Sequence, residues 1–196
     1  MRHARIPLAL AALTLLAPAC TPETDIISTP VPVLQQVVDS APYVCTLIPE
    51  RAFRLVSGVT GSLVEKNDGN ERNGDCRVPA ATSQTLEVWW MQEGPGMSRE
   101  HLDFLMDDRR KVYGRHDGVV LPTDLGDGMA VYLPNPPLTD QPYQVSAKFR
   151  CGSKERLIDI YLPQVAEGRD AIKDMTELMR IAQKRYGEVY NCSLHT

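Results

Sequence analysis

The chain predicts an α+β fold in which an antiparallel sheet packs against two or three helices and is stapled by two disulfides. Three observations carry this expectation. Strand-like alternation runs through "YQVSAKFRCG" and "ERLIDIYLP" with only a short break between them, and strands joined without an intervening helix pair antiparallel. The C-terminal "VAEGRDAIKDMTELMRIAQKRYGEVYNC" repeats apolar residues near the helical period. Cys45, Cys76, Cys151 and Cys192 make an even set once Cys20 is set apart, as in a disulfide framework.

Cys20 is set apart by what precedes it. "MRHAR" carries Arg2 and Arg5, and residues 6–19 follow without a charge. That run is shorter than the roughly 20 residues of a membrane-spanning helix. A cationic start, a short apolar middle and small residues at its end describe an export signal. Ala17 and Ala19 are the small residues before the cysteine. Residues 1–19 are therefore expected to be a lipoprotein signal peptide, with Cys20 lipidated as the first mature residue. Residues 20–42 hold four prolines after that cysteine, and read as a Pro-rich tether because proline fixes φ and removes donors. Within it, "PVLQQVVDS" offers a helical turn or an edge strand that docks. Residues 43–196 are enough for a single extracytoplasmic domain with one core.

Loss of residues 1–19 removes two of the 21 basic residues and none of the 25 acids, leaving 19 against 25 and a net charge of −6. Nucleic acid is excluded as a partner, since phosphate binding needs clustered Lys and Arg. The expected partners are the membrane, through the lipid on Cys20, and an unknown small ligand or an envelope protein. Exported cysteines pair. Of three possible pairings, Cys45 with Cys76 and Cys151 with Cys192 each bracket one contiguous half. Loops of this size contribute roughly 3–4 kcal/mol each on the chain-entropy model. Zinc ligand spacing is missing, so neither metal nor cofactor is expected.

The elements follow in order. "CTLIPERAFRLVSG" has Pro49 at a helix start and Gly58 just past its end, with Ala52, Phe53, Leu55 and Val56 as its buried face. "EKNDGNERNGDC" carries Asn-Asp-Gly and Asn-Gly turn signals. Neither glycine register puts a carboxylate at the first EF-hand position, so the segment is an exposed hairpin turn rather than a calcium loop. Thr85 to Gln92 is expected to be a strand, and adjacent Trp89 and Trp90 then point to opposite faces. One fills the core. The other needs cover from a helix, a ligand or a partner, which makes the pair the candidate ligand-binding residues.

"MSREHLDFLMDDRRKVYG" reads as a helix capped by Ser98, burying Leu102, Leu105, Met106, Val112 and Tyr113, with residues 107–111 on a solvated face. "GVVLP" and "GMAVYLP" add strands before "YQVSAKFRCG" and "ERLIDIYLP". The terminal helix is expected to bury Ile172, Met175, Leu178, Met179 and Ala182, with Met175 and Met179 as core residues.

Catalytic signatures are missing. There is no Gly-x-Ser-x-Gly and no His-Glu-x-x-His, and Gly126 and Gly128 in "GDGMAV" lack the third glycine of a phosphate loop. His101 and Glu100 are adjacent, which separates them on a helix. Asp124 and Asp127 read as turn carboxylates. No catalytic residue is assigned.

"CTLIPERAFRLVSG", "DCRV", "DLGDGMAVY" and the terminal amphipathic helix together resemble a domain-of-unknown-function family of actinobacterial lipoproteins. Members show Cys-x-Leu, a proline-started helix ending in Gly, a second Cys, and a Gly-Leu-Gly-Asp-like turn before a strand. They often carry a Trp two residues after the second cysteine, where this chain has Val78. The architecture is also similar to the extracellular sensor domains of mycobacterial receptor kinases. The resemblance implies a noncatalytic, surface-tethered binding or sensor-like domain. An accessory subunit of an envelope transporter, secretion or cell-wall complex is the alternative, and a hydrolase the third reading.

Overall fold

A computed structural model describes residues 35–79, 85–136 and 141–195. The signal, Cys20 and most of the tether lie outside the described residues. Among the described residues, 35–42 are continuous with the compact unit. Residues 35–42 form a strap docked on the last helix. Its Asp39 accepts hydrogen bonds from the Tyr43 hydroxyl and Lys184 Nζ, both at 2.8 Å, and Arg169 donates to the Gln35 carbonyl at 3.1 Å. The strap forms neither helix nor strand, and a polar anchor at Asp39 with the partly buried Val37 holds it.

A short hairpin of β1 (Tyr43–Val44) and β2 (Ile48–Pro49) leads into helix α1 (Glu50–Ser57). Gly58 ends α1 in the left-handed region at φ 73°, a conformation that costs glycine nothing. Ala52, Phe53 and Val56 are buried as expected, but Ser57 replaces Leu55 on the inner stripe. Its hydroxyl donates to the Phe53 carbonyl at 2.7 Å, which removes the cost of burying it.

The main sheet contains β3 (Lys66–Gly69), β4 (Asn73–Pro79), β5 (Thr85–Gln92), β6 (Val119–Val120), β7 (Asp127–Tyr132), β8 (Tyr143–Cys151) and β9 (Lys154–Leu162). Its spatial order is β3-β4-β5-β9-β8-β7-β6, every pair antiparallel. The short β10 (Leu194–His195) joins the end of β8. The expected hairpin turn is present as the β3–β4 connection, and the strands on either side of it went unassigned from sequence.

Helix α2 (Arg99–Gly114) packs on one face of the sheet, over β7, β8 and β9. Helix α3 (Ala171–Val189) packs with α1 on the other. The residues of β8 divide accordingly. Val145, Ala147, Phe149 and Cys151 join the α1 and α3 core, with Met175, Leu178, Met179 and Ala182 opposite. Gln144, Ser146 and Lys148 face the α2 layer, where Leu102, Met106 and Tyr113 are buried. Ser98 caps α2, accepting from the His101 amide at 3.2 Å. Ile172 is only partly buried, and the α3 stripe extends instead to Ile181 and Tyr186.

Both expected disulfides form, Cys45 with Cys76 and Cys151 with Cys192, each with Cα atoms 5.4 Å apart. The first ties the β1–β2 hairpin to β4; the second ties the chain after α3 to the end of β8. Such pairing belongs to an oxidising, extracytoplasmic compartment. No described helix is long and apolar enough to cross a membrane.

The glycines of "GDGMAV" serve packing. A Cβ on Gly126, which sits at φ 80°, would meet the Lys148 carbonyl oxygen at 2.4 Å, and one on Gly128 would meet the Ser146 carbonyl at 2.7 Å. Asp124 pairs with Arg180 of α3, while Asp127 pairs with Arg110 of α2. The two carboxylates of the turn therefore serve opposite layers.

Candidate functional site

Strand β5 separates its two tryptophans as alternation requires. Trp90 enters the α3-side core at 9% exposure, and its indole N–H donates to the Asn70 carbonyl at 2.8 Å. Its ring lies so close to Gly74 that a Cβ there would be 2.5 Å from it. Beside it is a cavity of about 150 Å³ that also meets Thr46 and Tyr190. Trp89 points the other way and is 37% exposed. It makes no hydrogen bond among the described residues.

Trp89 stays exposed because of where α2 crosses. The helix covers β7 to β9, and the sheet continues beyond it through β5, β4 and β3. The register sets two cross-strand rows on this open stretch. One runs Asp68, Asp75, Trp89, Asp159; the next runs Lys66, Arg77, Glu87, Tyr161. Directly opposed residues in such rows have Cβ atoms about 5 Å apart. Arg77 Nε lies 2.6 Å from a Glu87 carboxylate oxygen and 3.1 Å from one of Asp75, while about half of the side chain remains exposed. The guanidinium is thus held from both sides and keeps donors for the solvent side.

The edge of this surface under α2 is closed by a buried polar chain. Arg109 Nε and a terminal nitrogen donate to the two oxygens of Asp159 at 2.7 and 2.6 Å. Ser146 donates to the same carboxylate at 2.5 Å, and the Tyr113 hydroxyl lies 3.0 Å from Ser146 Oγ. Asp159 and Ser146 are fully buried. This corrects the expectation that residues 107–111 form a solvated face: Arg109 turns inward, since Asp159 would otherwise be a buried, unpaired charge. Burial opposes the charge on Arg109, but Asp159 outweighs it and raises the guanidinium pKa. Ser146 gives its proton to a carboxylate and has no access to solvent, so it is placed to brace α2 rather than to attack a substrate.

Burial, reinforced by the Asp159 charge, pushes the phenols of Tyr113 and Tyr161 above their ordinary value of 10.0. In the unfolded chain both ionise near that ordinary value. Stability is therefore fully present below about pH 10 and falls as pH rises toward the folded-state values, by about 1.4 kcal/mol per pH unit for each such tyrosine. Urea unfolding between about pH 9 and about pH 11 is expected to show this decline, with a shallower slope in Tyr113→Phe. An identical slope in the variant would remove Tyr113 as a cause.

Among the described residues no group of three or more His, Cys, Asp or Glu is placed to hold a metal ion. His101 is exposed on α2, and the Glu100 carboxylate is held below its usual range chiefly by a backbone hydrogen bond at the helix start. A second cavity, of about 410 Å³, lies between the strap and the start of α3, lined by Gln35, Arg169 and Lys173 among others. Arg169 there is neutralised by Asp174 at 2.5 and 2.8 Å.

No family model, curated protein or solved structure matches this chain. Sequence reasoning placed Trp89 and Trp90 on opposite faces but missed Arg109, Asp159, Arg77 and Glu87. A signal for Asp159 was present: it is the only charge within "LIDIYL". Its partner lies 50 residues away, beyond the reach of local periodicity.

Proposed function

We propose that the chain is a lipid-anchored, noncatalytic binding lipoprotein of the cell envelope, whose ligand rests on the open sheet surface around Trp89. The observation that carries this reading is an exposed tryptophan beside oriented, paired carboxylate and guanidinium groups on one face of the sheet. A large aromatic ring 37% exposed, whose N–H makes no hydrogen bond among the described residues, combines contact area with a polar handle. Supporting the extracytoplasmic setting are the two disulfides, the signal-like start and the family resemblance of the half-cystine and Gly-Asp-Gly segments.

The reading is tested by native mass spectrometry of the full chain extracted gently from the envelope of an actinobacterial host. A stoichiometric adduct is expected on the parent protein and not on Trp89→Ala. A bare mass for both proteins overturns it. That result favours the accessory-subunit reading, which has its own observation in the edge strand β6, where Val119 and Val120 are exposed. Anchoring is tested separately. In the same host, Cys20→Ala is expected to move the protein from the membrane fraction to the soluble one, and retention in the membrane would reject lipidation at Cys20 as the anchor.

A further inference from the structure

We propose that the crevice beside Trp90 binds a small alkylammonium group, at a site separate from the Trp89 surface on the other face of the sheet. Three elements meet there: the β1–β2 turn brings Thr46 and Leu47, the β3–β4 hairpin brings Asn67 and Asn70, and the end of α3 brings Tyr190. Trp90 of β5 completes the wall. These walls are tied to one another. The Trp90 indole N–H donates to the Asn70 carbonyl at 2.8 Å, Asn70 Oδ1 accepts from the Arg72 and Asn73 amides at 2.8 and 3.2 Å, and the Cys45–Cys76 disulfide ties the turn to β4. Cys45 and Thr46 hold φ values of 52° and 62°, a region that a β-branched residue such as Thr46 rarely adopts. Backbone held in this way gathers at ligand clamps.

The ligand class follows from charge and from ring chemistry. No Lys or Arg lines the crevice, and Asp68 borders it. Arg156 lies 5.8 Å from the centre of the Tyr186 ring, which itself packs on Tyr190 with 4.4 Å between ring centres. Glu71, beside Asn70 on the hairpin, adds its charge to the burial that raises the Tyr190 phenol above its ordinary value. The charge that reaches Tyr190 is thus negative. With its N–H spent on Asn70, the indole offers the crevice ring atoms and no donor, and aromatic rings draw cations to their faces. An anion would meet no cationic side chain there. A neutral ligand would gain apolar contact but nothing from the charge distribution of the rings or from Glu71.

Size agrees. The crevice holds about 150 Å³, the volume at which an apolar cavity takes up benzene. Tetramethylammonium has similar bulk. Thr46 and Asn67 are exposed, so a hydroxyl carried on the fourth substituent of a trimethylammonium head would find a polar partner at the mouth of the crevice.

The test uses the full chain in a nonionic detergent at constant ionic strength. The probes are tetramethylammonium and choline, with choline's uncharged analogue, in which carbon replaces nitrogen, and acetate as comparisons. Calorimetry and tryptophan emission read the binding. Both cations are expected to bind one to one, the uncharged analogue about tenfold more weakly, and acetate not at all. Tyr190→Leu, which removes a ring but keeps apolar bulk, should weaken the cations by about the same factor, while Tyr190→Phe keeps the ring and retains affinity. Glu71→Gln, at an exposed position, should weaken them by a smaller factor. Trp89→Ala should leave cation binding unchanged. The proposal is overturned by no cation binding, by equal affinity for the uncharged analogue, or by unchanged cation affinity in Tyr190→Leu or, where that variant does not fold, in Glu71→Gln. Loss of cation binding in Trp89→Ala would place the ligand on the opposite face and reject the crevice. Failure of the Trp89-dependent native adduct would reject the Trp89 surface and leave the crevice standing.

Discussion

Arg109→Ala is expected to destabilise the domain by about 3–5 kcal/mol, the range for removing one partner of a buried ion pair. The magnitude comes from what remains. Asp159 is fully buried between β5 and β8, and without the guanidinium it retains only Ser146 among the side chains that donate to it. Its options are to stay charged and unpaired or to take up a proton, and both raise the free energy of the folded state. The paired replacement Arg109→Met with Asp159→Leu should restore most of the loss, because substituting both members by apolar groups of similar volume is often neutral. Guanidinium chloride unfolding of the parent, single and double variants separates the cases. A single-variant loss under about 1 kcal/mol would mean that α2 is held by its apolar contacts alone.

The second large effect concerns Cys151 and Cys192, which are 41 residues apart in sequence. Replacing both by serine is expected to cost about 4 kcal/mol on the chain-entropy model. The bridge closes a loop that contains β9 and all of α3, the helix that covers the larger core. It also holds the segment that forms β10, where Leu194 pairs with Cys151 and the Gly152 amide donates to the Ser193 carbonyl at 2.8 Å. Equilibrium unfolding under oxidising conditions measures the difference. Unchanged stability in the double variant would show that α3 and the sheet already restrict the chain as much as the crosslink does.

The two predictions differ in how far the sequence supports them. Cysteine parity and bracketing were enough to pair Cys151 with Cys192, since a crosslink is discrete and four cysteines leave few arrangements. Arg109 carried the opposite expectation. Within "MDDRRKVYG" it belongs to a charge run, and helical periodicity alone does not tell which member of such a run meets a buried acid. Its inward turn depends on Asp159 arriving beneath α2 from a strand distant in sequence.

The same division holds for the tryptophans. Alternation along β5 was legible, because backbone geometry dictates that neighbours point to opposite faces. Which face is covered was not. That follows from α2 crossing β7 to β9 and meeting β5 at Met91, with Trp89 left 37% exposed, a matter of helix placement on a sheet rather than of local propensity. The strap shows a third case. The sequence offered a docking helical turn or edge strand there; the described residues form neither, and they dock through Asp39, which meets Lys184 from 145 residues away.

What the sequence determined by itself was therefore what short-range physics controls: the three helices, the alternation of β5, β8 and β9, the cap at Ser98, the amphipathic stripe of α3, and the disulfide pairs. The tertiary structure alone decided which sheet face remains open, which arginine is buried and where the strap attaches. Those outcomes depend on groups distant in sequence meeting in a low-dielectric interior, where one unpaired charge or one uncovered ring outweighs the local preferences that a linear reading can weigh.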